Sequence, residues 1–105
     1  MPQFTAYQNK NTQTKKLIPF LLDVQAELLD ELQTRVVVPL TSVENGAAKQ
    51  MSRLTPLLKI DGKSYLMLTP QLAGINKKEL GKPVADLSSS RTEIVAALDF
   101  LVTGF

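Results

Sequence analysis

Apolar positions in this chain fall in short runs up to about residue 87, then change to helical spacing. The alternation of Gln3-Phe-Thr-Ala-Tyr7 predicts a short first strand. Residues 8–16 are polar throughout and predict a loop. Leu17 to Val24 predicts a second strand, with Pro19 at an edge or a bulge. Asp23 to Leu32 supports two readings: a short helix, or extended chain in which Val24, Ala26 and Leu28 alternate. Arg35-Val-Val-Val-Pro-Leu40 predicts a β-branched strand that Pro39 ends or bulges. Residues 41–53, with Asn45-Gly46, predict an excursion holding at most one helical turn. Leu57–Ile60 and Lys63–Leu68 flank Asp61-Gly62, a dipeptide that favours a two-residue hairpin. Gln71 to Ile75 predicts one further short strand, Gly74 and Gly81 mark turns, and Val84–Leu87 leads into the last element.

That last element is a helix beginning near Arg91 and running almost to Phe105. Ser90 as N-cap and Glu93 at the third position predict a capping box. At 100° per residue Ile94, Val95, Ala97, Leu98, Leu101 and Val102 share one face, which predicts burial against a sheet. Gly104 suits the left-handed conformation that ends a helix. Ala96, Asp99, Phe100 and Thr103 point the other way, and Phe105 either folds back over Phe100 or reaches into a partner. Short strands followed by one helix predict a mainly β fold, a small curled antiparallel sheet or barrel with the helix packed on it.

Composition narrows the function more than the fold. A chain of 105 residues suits one domain. It has no cysteine and no histidine, so thiol chemistry, the commonest neutral-pH base and the soft metal ligands are missing. There is no glycine-rich phosphate loop, and no cofactor is expected. No apolar run approaches a membrane span and no signal peptide is visible, so a cytoplasmic protein without membrane contact is expected. Twelve basic against ten acidic residues leave a net charge of +2, too mild to argue for direct nucleic-acid binding. The basic residues cluster a little in two predicted loops, Lys10, Lys15 and Lys16 in one and Lys77, Lys78 and Lys82 in the other.

Asp23, Glu27, Asp30 and Glu31 lie close together. A solvated acidic surface is the plain reading, and a Mg²⁺ site the alternative. Arg35, Arg53 or Arg91 could hold a phosphate, with a serine, threonine or acid taking a proton, but their spacing picks out no site. Leu28-Leu29 sits inside the acidic stretch, and predicts one leucine facing the core and the other exposed or at a subunit boundary.

In order from end to end, Gln3-Phe4, Asp23-Val-Gln25 with Leu28-Leu-Asp30, Arg35-Val-Val-Val-Pro-Leu40, Met67-Leu-Thr69, Pro83-Val-Ala-Asp-Leu-Ser88 and the helix through Gly104-Phe105 resemble the CcdB family of plasmid and chromosomal toxins. The resemblance implies an SH3-like small antiparallel barrel with a C-terminal helix, shared with MazF-type toxins, and a two-fold homodimer. It implies a toxin that is not an enzyme. Such a toxin binds the A subunit of DNA gyrase, traps the cleaved-DNA complex and is neutralised by the disordered tail of a CcdA-like antitoxin. Carried over by position, the gyrase-binding residues are Asp99, Thr103, Gly104 and Phe105 at the helix end, with Leu28 and Leu29 matching an isoleucine pair. The best-studied plasmid member has tryptophan where Thr103 stands and asparagine where Asp99 stands, and Phe105 takes the place of a smaller aliphatic residue. The rival is a MazF-like mRNA endonuclease on the same fold, for which a basic groove with a catalytic arginine is expected.

Overall fold

The structure, a computed structural model, describes residues 2–29, 31–43 and 53–104. Among the described residues seven strands form one antiparallel sheet: β1 (Thr5–Asn9), β2 (Phe20–Asp23), β3 (Thr34–Ser42), β4 (Leu57–Ile60), β5 (Lys63–Met67), β6 (Ala73–Asn76) and β7 (Leu80–Asp86). One helix, α1 (Arg91–Thr103), follows. The order across the sheet is β4-β5-β3-β2-β1-β7, with β6 also paired to β3. The mainly β, curled half-barrel with a C-terminal helix is the fold expected from the sequence. The predicted excursion around Asn45-Gly46 lies mostly outside the described residues.

β3 organises the sheet. Its valines supply a long extended run, and one edge is shared between two partners. Thr34–Val37 pair with β6, Leu40–Ser42 with β5, and the opposite edge takes β2. Pro39 was expected to end or bulge this strand, yet β3 continues to Ser42. The reason is local. Pro39 has no N–H to give. It stands where β6 has stopped pairing and β5 has not begun, and its carbonyl accepts from Leu68 N–H at 2.9 Å. The missing donor therefore falls in a gap of the ladder.

Strand alternation sorts the side chains onto two faces. Ala6, Leu22, Val38 and Leu40 join Phe4, Leu58, Ile60, Met67 and Leu87 in the main core, where Ile94 and Ala97 of α1 pack. Tyr7, Leu21, Val37 and Leu80 form a smaller cluster with Ile18 and Ile75. The β4–β5 hairpin turns as expected: Asp61 (φ 52°) and Gly62 (φ 79°) both take the left-handed conformation of a type I′ turn.

The remaining differences lie at element ends. β1 starts later than expected and runs into the predicted polar loop as far as Asn9, while β2 starts only at Phe20. β7 reaches back to Leu80, through Gly81 and Pro83, where turns were expected. The capping box expected at Ser90 and Glu93 does not form; a 3-10 turn over Ser88–Ser90 feeds the helix and Ser90 makes no side-chain cap bond. Asp86 caps that turn instead, accepting from Ser88 N–H at 2.9 Å. A capping box does occur before β7: Asn76 Oδ1 accepts from Lys78 N–H at 2.9 Å and Glu79 Oε2 from Asn76 N–H at 3.2 Å. Phe4 is buried with φ 66°, a costly conformation for an aromatic residue. There its N–H reaches Asp23 O at 2.7 Å and its carbonyl accepts from Leu87 N–H at 2.8 Å, which ties β2 to the approach to α1.

Candidate partner-binding surface

α1 is held at one end and presented at the other. Ile94 and Ala97 are fully buried, and Val95 and Leu98 are partly buried against the core. The helical pattern placed Leu101 and Val102 on the same buried face, and the structure corrects this. Leu101 is 39% exposed and Val102 is 83% exposed. Both stay at the expected angles on the helix, but its last turn is not covered by the sheet. Phe100, expected to point outward, is half-buried, and the Arg53 guanidinium lies 4.9 Å from its ring centroid.

Asp99, Thr103 and Gly104 are all exposed, and Asp99 and Thr103 stand one turn apart as expected. Thr103 Oγ1 donates to Asp99 O at 2.7 Å. Gly104 ends the helix with φ 78°, and its N–H bonds to Phe100 O at 2.9 Å. The expectation for Phe105 lies outside the described residues. The last turn thus offers Val102, the edge of Leu101 and Thr103, with Asp99 exposed one turn before.

A second apolar surface stands on the segment between β2 and β3. A 3-10 turn covers Glu27–Leu29, closed by Leu29 N–H to Ala26 O at 3.0 Å. The sequence predicted that one leucine would face the core, but neither is buried. Leu28 is 94% exposed, and Leu29 and Leu32 are each 48% exposed. Isolated exposed leucines are ordinary, whereas here three stand exposed within five positions of one loop. Gln3 links this turn to the start of α1. Its N–H bonds to Glu27 Oε1 at 3.2 Å, and its Oε1 accepts from Arg91 Nη1 at 3.5 Å. The helix end lies about 18 Å further along the axis at 1.5 Å per residue. The two surfaces are therefore anchored at opposite ends of α1.

The acidic stretch is not one surface. Asp23 is fully buried and ion-paired with Arg35, itself fully buried, at 2.7 Å. Asp23 pairs across the sheet with Val37, which puts Arg35 at the diagonal position within side-chain reach. Glu27 and Glu31 stay in solvent, and Asp30 lies outside the described residues. The three arginines do not converge either. Arg35 is held by Asp23, Arg53 lies over Phe100, and Arg91 lies 5.5 Å from the centroid of Phe4.

The two lysine loops do meet, which their sequence separation hid. Lys10 Nζ donates to Lys78 O at 3.0 Å. Beside that contact runs a groove of about 490 Å³ with Ile18, Leu21, Val37, Pro39, Ala73 and Ile75 in its wall and Lys10, Lys78 and Glu79 at its rim. Lys15 and Lys16 line an adjoining depression with Lys10.

The family model described as CcdB protein matches residues 3–104 of this chain. Among solved structures, the fold is similar to that of an endoribonuclease in complex with its cognate antitoxin from a mycobacterial species. That likeness has a TM-score of 0.76 over 97% of this chain and 95% of the other, at 16% sequence identity. At this identity it is a likeness of fold.

Proposed function

The chain belongs to the CcdB protein family, and on that footing we propose that it is the toxin of a toxin–antitoxin pair, acting as a gyrase poison. In this reading a homodimer binds the A subunit of DNA gyrase, traps the state in which DNA is cleaved, and is released by a CcdA-like antitoxin. The observation that carries it is the pair of aliphatic surfaces left in solvent, where Leu28 at 94% and Val102 at 83% are the most exposed large aliphatic side chains among the described residues. Large side chains held in water by ordered backbone are what a binding partner covers. Leu28, Leu29, Asp99, Thr103, Gly104 and Phe105 are the proposed contacts, and Val102 joins them. The mode of action needs no catalytic group on this chain, consistent with arginines engaged by Asp23, Phe100 and Phe4. A cytoplasmic location goes with this target.

The second reading, an mRNA endonuclease, is favoured by the lysine-rimmed groove, since cations around a concave wall attract phosphates. One assay separates the two. Purified protein is incubated with gyrase, ATP and supercoiled plasmid, and in parallel with RNA alone. Gyrase-dependent linear DNA supports the poison. RNA cleavage by the protein alone, with no linear DNA, overturns it.

A further inference from the structure

We propose that Gln25 is the positioning residue of the Leu28–Leu29 surface, and that the buried Asp23–Arg35 pair is the fixture from which it works. The inference rests on the reading of that surface as a partner contact, and it assigns a role to residues that touch no partner themselves.

The turn carrying Leu28 has little order of its own. It is a 3-10 segment of three residues, Glu27–Leu29, with no buried residue. Isolated turns of that length do not persist in water, because fixing several dihedrals gains a single hydrogen bond. Its exposed leucines cannot supply the missing order by packing. Gln3 N–H steadies the Glu27 end of the turn, and the Leu29 end needs a side chain reaching up from below.

Gln25 is that side chain, 6% exposed. Its Nε2 donates to Leu29 O at 2.9 Å, and its Oε1 accepts from Val36 N–H at 3.0 Å. One amide therefore clamps the turn to the backbone of β3. Leu29 O also accepts from Leu32 N–H at 3.1 Å, so the clamp holds the carbonyl that organises the rest of the loop. Only an amide can do both jobs at this length: a carboxylate lacks the donor, and an aliphatic side chain lacks both groups.

The clamp needs a fixed base. Asp23 Oδ1 accepts from Gln25 N–H at 3.0 Å, and Asp23 Oδ2 accepts from Arg35 Nε at 2.9 Å. Asp23 and Arg35 are both fully buried, so the start of the Gln25 side chain is set by a rigid pair inside the protein. An apolar anchor already held in its bound geometry does not have to be ordered on association, and affinity rises accordingly.

The test uses the full chain with Gln25→Met, which removes both bonds at nearly constant volume, and Gln25→Glu, which keeps the acceptor for Val36 and removes the donor to Leu29. The first readout needs no partner. Exchange of the Leu29 and Leu32 amides is expected to quicken in both variants, by about tenfold or more, with the β2 and β3 amides unchanged apart from Val36, which loses its acceptor in Gln25→Met. Unchanged exchange at Leu29 and Leu32 overturns the proposal, as does failure of both variants to fold, which would make Gln25 a structural residue.

The second readout is affinity for the gyrase A subunit. Gln25→Met is expected to weaken it roughly tenfold in the wild-type background and not at all in a Leu28→Ala/Leu29→Ala background. An equal loss in both backgrounds means that Gln25 does not act through the leucines, and overturns the positioning role. If wild-type protein fails to bind, or the double alanine variant binds as wild type, the surface reading has failed. The exchange result then decides the positioning alone.

Discussion

Leu28→Ala should separate function from stability. The side chain is 94% exposed, so only about one-sixteenth of its area leaves water on folding. Full burial of a leucine is worth about 1.5–3 kcal/mol, which makes the folded-state loss on truncation roughly 0.1–0.2 kcal/mol. A domain of about this size shifts its Tm by roughly 4–8 °C per kcal/mol, so Leu28→Ala should move it by no more than about 1–2 °C. Ile94→Ala is the control from the same surface's supporting helix. Ile94 is fully buried, and such truncations cost about 2–5 kcal/mol, or at least about 8 °C. Binding should rank the two in reverse. An anchor residue contributes about 2 kcal/mol or more, which is roughly thirtyfold in Kd. Thermal unfolding and calorimetric titration with the gyrase A subunit, followed by growth inhibition on induction, measure both sides. A Leu28→Ala protein that melts more than about 3 °C lower, or that binds as wild type, refutes the reasoning.

Three further outcomes follow from the packing and the charges. Gly81→Ala should destabilise by about 1–3 kcal/mol, because a Cβ there would meet Gln8 Cβ and Gln8 O at 2.9 Å where β7 crosses β1; chemical denaturation measures it, and a loss below about 0.5 kcal/mol would show that the strands can part freely. Asp23→Asn should cost about 3–5 kcal/mol by leaving Arg35 buried without its counter-charge, while Asp23→Leu/Arg35→Met should recover most of it. A double variant as unstable as the single one would place the cost in packing rather than charge. Asp86 has its pKa lowered below the usual 3.8, first by the backbone N–H of Ser88 and then by its hydroxyl. A folded value below the unfolded one contributes stability that is present above pH 3.8 and is lost as pH falls through the folded value. Denaturation midpoints should therefore fall more steeply in that acid window for wild type than for Asp86→Asn, and parallel curves would contradict the cap.

Local chemistry was readable from the sequence where it acts through neighbours. Asp61-Gly62 specifies its own turn, and the strands on either side follow from it. The terminal helix followed from its apolar spacing and Gly104. Features set by distant chain were not readable. Pro39 looks like a strand breaker until β5 and β6 are known to leave a gap beside it. Leu80-Gly-Lys-Pro-Val reads as turn and linker, and it becomes β7 only because β1 accepts it through two register shifts. Ser90 and Glu93 have the capping-box spacing, but the 3-10 turn before the helix lets Asp86 meet the backbone one turn earlier. Asp23 and Arg35 are twelve residues apart, so their union could not be separated from an acidic loop and a free arginine without the β2–β3 register.

The candidate site shows the same division. The helical wheel identified the faces of α1, but a wheel contains no information about where the supporting sheet ends. Val102 therefore looked like core when it is one of the most exposed aliphatic side chains among the described residues. The wheel is right about angle and silent about depth. The same barrel carries unrelated chemistries, so the fold does not choose between a poison and a nuclease. What bears on the choice is where the cations and the aliphatics are spent. In this chain Arg35 serves a buried carboxylate, Arg53 and Arg91 lie over aromatic rings, and Lys10 and Lys78 line a groove together with Glu79. The two most exposed large aliphatics among the described residues, Leu28 and Val102, stand instead on a clamped turn and a helix end, where a partner gains most per side chain from excluding water.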